Sequence, residues 1–252
     1  YEQLFSTDGY DPLFIKRYGE FIATSGDGKL KTNIPRSDVL LFRGFGKDDL
    51  RNNKYRKRAM DLTSIKYILH KNESGNGEHD STFPSEKYNL TGQKGIWQIY
   101  ENKNAVPRVS ATDDFIVEQD SGIIIKILYD DNFNPNKTIV LEKNPNLEPT
   151  TYTATKGAIL KITNYENNKV TIDAKLISPK IILLTDNYYP GWNAYVDGKK
   201  QPIFRANYTF RAVPVDSGEH TVIFKYEPFM FEAGRMTSIL SLGIIIFICG
   251  LL

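Results

Sequence analysis

The sequence predicts an α+β fold followed by an all-β region. A small α+β unit occupies 1–107, an antiparallel, jelly-roll-like β-sandwich 108–230, and the start of a C-terminal transmembrane helix 236–252. Three observations predict it. Two stretches before residue 66 carry apolar residues at helical spacing. Beyond Arg108 that period gives way to short β-rich runs divided by turn residues. After Arg235 no charge appears again.

Asp11 can cap a helix and Pro12 suits its first position, and Leu13, Phe14, Tyr18, Phe21 and Ile22 then recur on one face, so a helix is expected over 12–23. Gly26-Asp27-Gly28 ends it in a turn. A second helix is expected from about Asp48 to Ile65, with Leu50, Ala59, Leu62 and Ile65 apolar. Its middle, 51–58, is basic without an acid and reads either as a phosphate or lipid-headgroup patch or as a solvated face. Lys66–His70 and Ile96–Tyr100 read as strands, and polar 72–85 as a loop.

Eight further runs read as strands: 122–129, 138–141, 158–163, 169–176, 180–185, 193–196, 208–213 and 220–226. Asn134-Pro135, Asn144-Pro145, Asn167-Asn168, Ser178-Pro179, Pro190-Gly191 and Ser217-Gly218 mark turns between them, and Asp197-Gly198 a two-residue hairpin. Met236–Leu252 reads as a spanning helix cut short, since a full span needs about 20 apolar residues. A buried C-terminal helix is the alternative, but Ile244, Ile245 and Ile246 leave no polar face. The opening at Tyr1 shows no signal core, so the sequence reads as part of a longer protein.

Apolar residues at 40%, charged residues at 25% and a net charge of +2 exclude a disordered chain, a polytopic membrane segment and nucleic acid as the main partner. Cys249 alone cannot form an internal disulfide, and His70, His79 and His220 without nearby cysteines make no zinc motif. No cofactor and no metal are expected.

No nucleophile-elbow, zincin or P-loop pattern is present. Asp113-Asp114 and Asp130-Asp131 are adjacent acids, which on a strand point to opposite faces and so do not share a site. His220 reads as a hydrogen-bonded structural residue, and no catalytic residue is assigned. The sequons at Asn72, Asn89, Asn136 and Asn207 carry little weight. A carbohydrate platform could be built from Tyr188, Tyr189 and Trp192 with Asp186, Asn187, Arg205, Asn207 and Arg211. The competing reading is an aromatic corner buried around Pro190-Gly191, with Tyr188 the most exposed of the three rings.

Leu184 through Gly198, which contains Tyr188-Tyr189-Pro190-Gly191-Trp192, is followed by Pro202-Ile203, Arg205-Ala206-Asn207, Phe210 to Val213, Gly218 to Val222 and Phe224 to Pro228. Earlier come Gly9 to Leu13 with Lys16-Arg17-Tyr18, then Asp61-Leu62, Ile65 to Leu69, Trp97 to Asn102 and Pro107-Arg108. This order resembles the C-terminal end of the YfhO family of bacterial membrane proteins.

The resemblance implies a multi-spanning parent similar to GT-C glycosyltransferases, using a polyprenyl-phosphate sugar donor to modify cell-envelope polymers. Its catalytic acids would lie in upstream loops outside this sequence. It implies that 1–230 is extracytoplasmic, an accessory domain that supports glycan transfer. The expected partners are membrane lipid through the C-terminal helix, the protein's own upstream membrane domain and a cell-envelope glycan. A non-enzymatic, membrane-anchored carbohydrate-binding or structural module is the alternative.

Overall fold

The computed structural model describes residues 6–7, 14–31, 33–34, 41, 53–72, 80–147 and 157–251. Helix α1 spans Lys16–Thr24 and buries Phe21, Ile22 and Ala23. It starts later than the expected 12–23, with extended Ile15 as N-cap and no side-chain cap bond, and the expected cap residues Asp11 and Pro12 lie outside the described residues. Helix α2 spans Lys54–Leu62, and the Asn53 side chain caps it by accepting from Arg56 N. The same amide donates to the Gly26 carbonyl at 2.8 Å, tying α2 to the end of α1. The basic stretch of α2 serves internal contacts. Buried Arg56 donates to the Leu41 carbonyl, Arg58 to the Asp130 carbonyl, and Lys54 pairs with Asp131 at 3.3 Å. The Lys54 and Arg58 contacts are solvent-exposed, which favours the solvated-face reading over a headgroup patch.

Strands β1 (Tyr67–Lys71), β2 (Tyr88–Lys94) and β3 (Trp97–Asn102) form an antiparallel sheet in the order β1-β3-β2. The buried pair Lys87–Asp61, 2.7 Å apart, staples it to α2, and Asn102 donates to the other Asp61 oxygen.

The remaining strands are β4 (Val109–Thr112), β5 (Asp114–Val117), β6 (Thr138–Leu141), β7 (Ala158–Glu166), β8 (Lys169–Leu176), β9 (Lys180–Asn187) and β10 (Trp192–Val196). After them come β11 (Lys199–Gln201), β12 (Phe204–Ala206), β13 (Phe210–Val215) and β14 (Gly218–Tyr226). They form two sheets, ordered β11-β10-β14-β8-β7 and β4-β9-β13-β12-β6-β5. Val170, Ile172, Val222 and Phe224 of the first sheet meet Ile182, Leu184, Val213 and Val215 of the second in one core. The other face of the second sheet buries Ile181, Leu183, Phe210 and Ala212 against α1, α2 and the β1–β3 sheet. The second sheet is therefore covered on both faces. That explains why β9 runs through Ile181, Ile182, Leu183 and Leu184 without polar alternation. The architecture is a small helical and β opening, then mostly antiparallel sheets, then an apolar helix.

The structure corrects one expected strand. Residues 122–129 are not extended but form helix α3, Ser121–Leu128. Asp120 caps it, its Oδ1 accepting from Ile123 N at 2.8 Å. Ile124, Ile125 and Leu128 are buried on one face, while Ile123 is exposed. The strand preference of consecutive isoleucines yields to the cap and to a helical core face. The helix has a topological role: β5 and β6 pair in parallel, and such a pair needs a crossover between its strands. The second sheet is thus not wholly antiparallel. Five strands, β2, β4, β5, β11 and β12, were not among the expected runs. The Asp197-Gly198 hairpin forms as expected, with φ of 50° and 77°.

Helix α4 spans Phe229–Leu251. Its Phe229–Gly250 stretch is long and apolar enough to cross a membrane, and none of its most apolar window is buried in the fold. It begins before the expected Met236, and Leu252 lies outside the described residues. Thr237, Ser238 and Ser241 donate to carbonyls four residues earlier, which satisfies their hydroxyls within the helix, as an apolar medium requires. Only Glu227 and Pro228 separate β14 from α4. Glu227 Oε2 accepts from Tyr195 OH at 2.6 Å and Asn193 Nδ2 at 3.1 Å, and Glu227 N donates to the Gly191 carbonyl at 2.7 Å.

Candidate functional site: a polar groove at the helix end of the sandwich

The Pro190-Gly191 turn brings the chain from β9 into β10, closed by Trp192 N donating to the Tyr189 carbonyl. Gly191 has a φ of 102°, and a Cβ there would lie 2.8 Å from the Tyr226 ring. Both conformation and space therefore demand glycine. Trp192 pairs across the strands with Tyr226, their rings 5.5 Å apart. Arg211 lies over the indole, its guanidinium carbon 3.7 Å from the ring centroid.

Between β13 and β9 the register slips. Phe210 stands opposite Asn187, whereas Arg211 stands opposite Leu184. This irregularity sets Asp186 where three donors converge. Asp186 Oδ1 accepts from Arg108 Nη2 at 2.8 Å. Its Oδ2 accepts from Arg211 Nη2 at 2.8 Å and from Tyr165 OH at 2.9 Å. Arg108 also donates to the Tyr165 hydroxyl at 2.6 Å and stacks on that ring. Arg211 is only 2% exposed, and its Nε and Nη1 have no hydrogen-bond acceptor, so the indole face is what meets the rest of the guanidinium. Burial lowers the Arg211 pKa, opposed by Asp186. Burial, then the Asp186 charge, raises that of the Tyr165 phenol.

These groups line one end of a groove of about 1410 Å³ that also reaches Ser64, Tyr67 and Leu69. Of the eight platform residues suggested by the sequence, the groove takes in Asp186, Asn187, Trp192 and Arg211. Asn187 accepts from Thr209 Oγ1 at 3.0 Å. Tyr188 and Arg205 belong to another cluster. Arg205 stacks on Tyr188 and donates to Glu142, which also pairs with Arg17. Asn207 is buried in the β12–β13 turn with a φ of 44°, its Oδ1 accepting from Val140 N. Tyr189, at 45% exposed, rather than the half-buried Tyr188, is the most open ring of the corner.

Arg108 and Tyr165 were absent from the sequence-derived platform. They stand 57 residues apart, on separate strands or loops, and only tertiary structure joins them. The adjacent acids disperse as expected. Asp113 meets Lys180, Asp114 accepts from Thr138, and Asp131 meets Lys54. Among the described residues, no group of three His, Cys, Asp or Glu side chains could hold a metal ion.

A two-sheet sandwich passes within two residues into a helix long and apolar enough to cross a bilayer, the makeup of a β-domain that such a helix could anchor. Residues 117–238, from the end of β5 into α4, match the family model described as bacterial membrane protein YfhO. The uncharacterized protein YfhO of Bacillus subtilis (strain 168) is 27% identical over 120 residues. The match takes in 48% of this chain and 12% of that relative's length, so the chain corresponds to a small part of it. No solved structure matches the chain. Asp186, Arg211, Trp192 and Tyr165 fall inside the matched segment, and Arg108 outside it.

Proposed function

We propose that this chain is an extracytoplasmic accessory region of a multi-spanning, glycosyltransferase-like membrane protein, and that its groove holds a cell-envelope acceptor glycan during transfer from a polyprenyl-phosphate sugar. The observation that carries the reading is the groove itself. It sets a few polar groups, Asp186, Asn187, Arg108 and Tyr165, beside the Trp192 ring, at the end of the domain where the membrane helix begins. Both Asp186 oxygens are engaged by arginines and a phenol. Asp186 therefore suits orienting work, and the chemistry is left to the upstream membrane domain.

A second reading, a purely structural module, is favoured by the stacking of Arg211 on Trp192, which occupies one indole face. Titration of the domain with envelope glycan fragments separates the two. Saturable binding that Arg108→Ala and Tyr165→Phe both weaken supports the groove. Absence of binding by the folded wild-type domain supports the structural module.

A further inference from the structure

The β1–β3 sheet breaks the usual rule for a one-sided antiparallel sheet. Its inner face buries Ile68, Tyr88 and Tyr100, yet its outer face is also apolar. Leu69 lies beside Ile99, and the backbone of Gly92 follows. In the next row Trp97 stands between Lys71 and Lys94. Tyr67 completes the surface beside Glu101, and Lys66 reaches over the Tyr67 ring. Leu69 is 65% exposed, Tyr67 57% and Trp97 47%. A contiguous exposed patch of this kind marks a contact surface.

Two facts fix what it contacts. First, the Tyr67–Leu69–Ile99 side of the patch borders the groove whose other end holds Trp192. Trp192 pairs with Tyr226, three residues before α4 starts. Second, its chemistry is that of a membrane interface. Tryptophan and tyrosine favour the headgroup level, and lysines whose stems lie along apolar surface favour anionic lipid.

We infer that the outer face of the β1–β3 sheet lies on the surface of an anionic bilayer. Trp97, Leu69 and Ile99 enter the headgroup region, and Lys71 and Lys94 pair with lipid phosphates. The domain then meets the membrane at two places, α4 and this sheet, which fixes its tilt. The inference rests on α4 as an anchor, and it shares Tyr67, Leu69 and Ile99 with the far side of the groove.

The test uses the 252-residue chain in nanodiscs of phosphatidylglycerol or of phosphatidylcholine, with lipids brominated near the headgroup as quenchers of tryptophan emission. The contribution of Trp97 is the difference between wild type and Trp97→Phe. In phosphatidylglycerol that contribution is expected to be strongly quenched. It should lose most of its quenching in Leu69→Glu and in Lys71→Glu/Lys94→Glu, with the melting midpoints of both variants unchanged. An unquenched Trp97, a Leu69→Glu variant quenched like wild type, or equal quenching in phosphatidylcholine each overturns the inference. If Trp97 is unquenched and Leu69→Glu also weakens association with the detergent-solubilised upstream portion of the protein, the face belongs to that protein contact. The readout is Trp97, which does not line the groove, and no sugar is present, so failure here leaves the glycan reading standing and the converse also holds.

Discussion

Arg211 lies over Trp192, its guanidinium carbon 3.7 Å from the indole centroid, and the same guanidinium holds Asp186 at 2.8 Å. One arginine thus joins the aromatic corner to the polar end of the groove. Removing the ring exposes a buried charge as well as leaving a void. Trp192→Ala should therefore destabilise the domain by about 2–4 kcal/mol, near the cost of truncating buried aromatics. Urea denaturation measures this. A loss below about 0.5 kcal/mol would place Trp192 with ordinary surface residues and favour a purely recognitional role.

Asp186 and Arg108 should differ sharply although they touch. Asp186→Ala strands Arg211 without the carboxylate it pairs with, and breaking a buried pair costs about 3–5 kcal/mol. Arg108 is more open, and Asp186 keeps two donors without it, so Arg108→Ala should cost about 1–2 kcal/mol, in the range of one hydrogen bond to a charged group. The double variant should fall short of the sum, because the residues share one network. Equal single losses would show that Arg211 is not the dependent partner.

The Asp197 hairpin should titrate. His220 Nδ1 and Asp197 Oδ2 are 2.7 Å apart, and this hydrogen bond, first among the causes, raises the imidazole pKa above its usual 6.5. A raised folded-state pKa adds stability below the unfolded value and loses it as pH rises through the folded value. The Asp197 pKa is lowered by the same bond, so its share is lost only at strongly acidic pH. His220→Gln should therefore be less stable than wild type near pH 5.5, with the difference closing by about pH 8.5. Denaturant midpoints at the two pH values decide it, and a gap that widens with pH would contradict the pairing.

Helix α3 depends on its cap. Asp120→Ala should cost about 1 kcal/mol by releasing Ile123 N. Asp120→Asn should cost much less. If alanine is tolerated as well as asparagine, the capping bond contributes nothing to the fold.

What the sequence made legible was local. Alternation and turn residues located β8, β10 and the Asp197-Gly198 hairpin, where one face is buried and the other open. Ile123-Ile124-Ile125 misled, because a short apolar run has no period of its own and its state is set by what covers it. The short strand β5 exists through pairing with β6 beyond helix α3, β12 is a three-residue arm of a hairpin with β13, and both carry little pattern. In the site, the Tyr188–Trp192 stretch points to a corner of which only Trp192 lines the groove. Its polar partners then sorted into separate clusters, since the β9–β13 irregularity turns Asp186 toward Arg108 and Tyr165. No spacing rule records that slip.

Glu227 and Pro228 give the sandwich almost no slack above its helix. Glu227 is held by Tyr195, Asn193 and the Gly191 carbonyl, and Pro228 packs at Gly191. A joint so short and so fully bonded works as a bracket rather than a tether. Tilting α4 in the bilayer would swing the whole sandwich with it, and a load on the groove would reach the helix through the Gly191 corner. Inserting a few flexible residues after Pro228 would keep every contact in the domain and release that mechanical coupling.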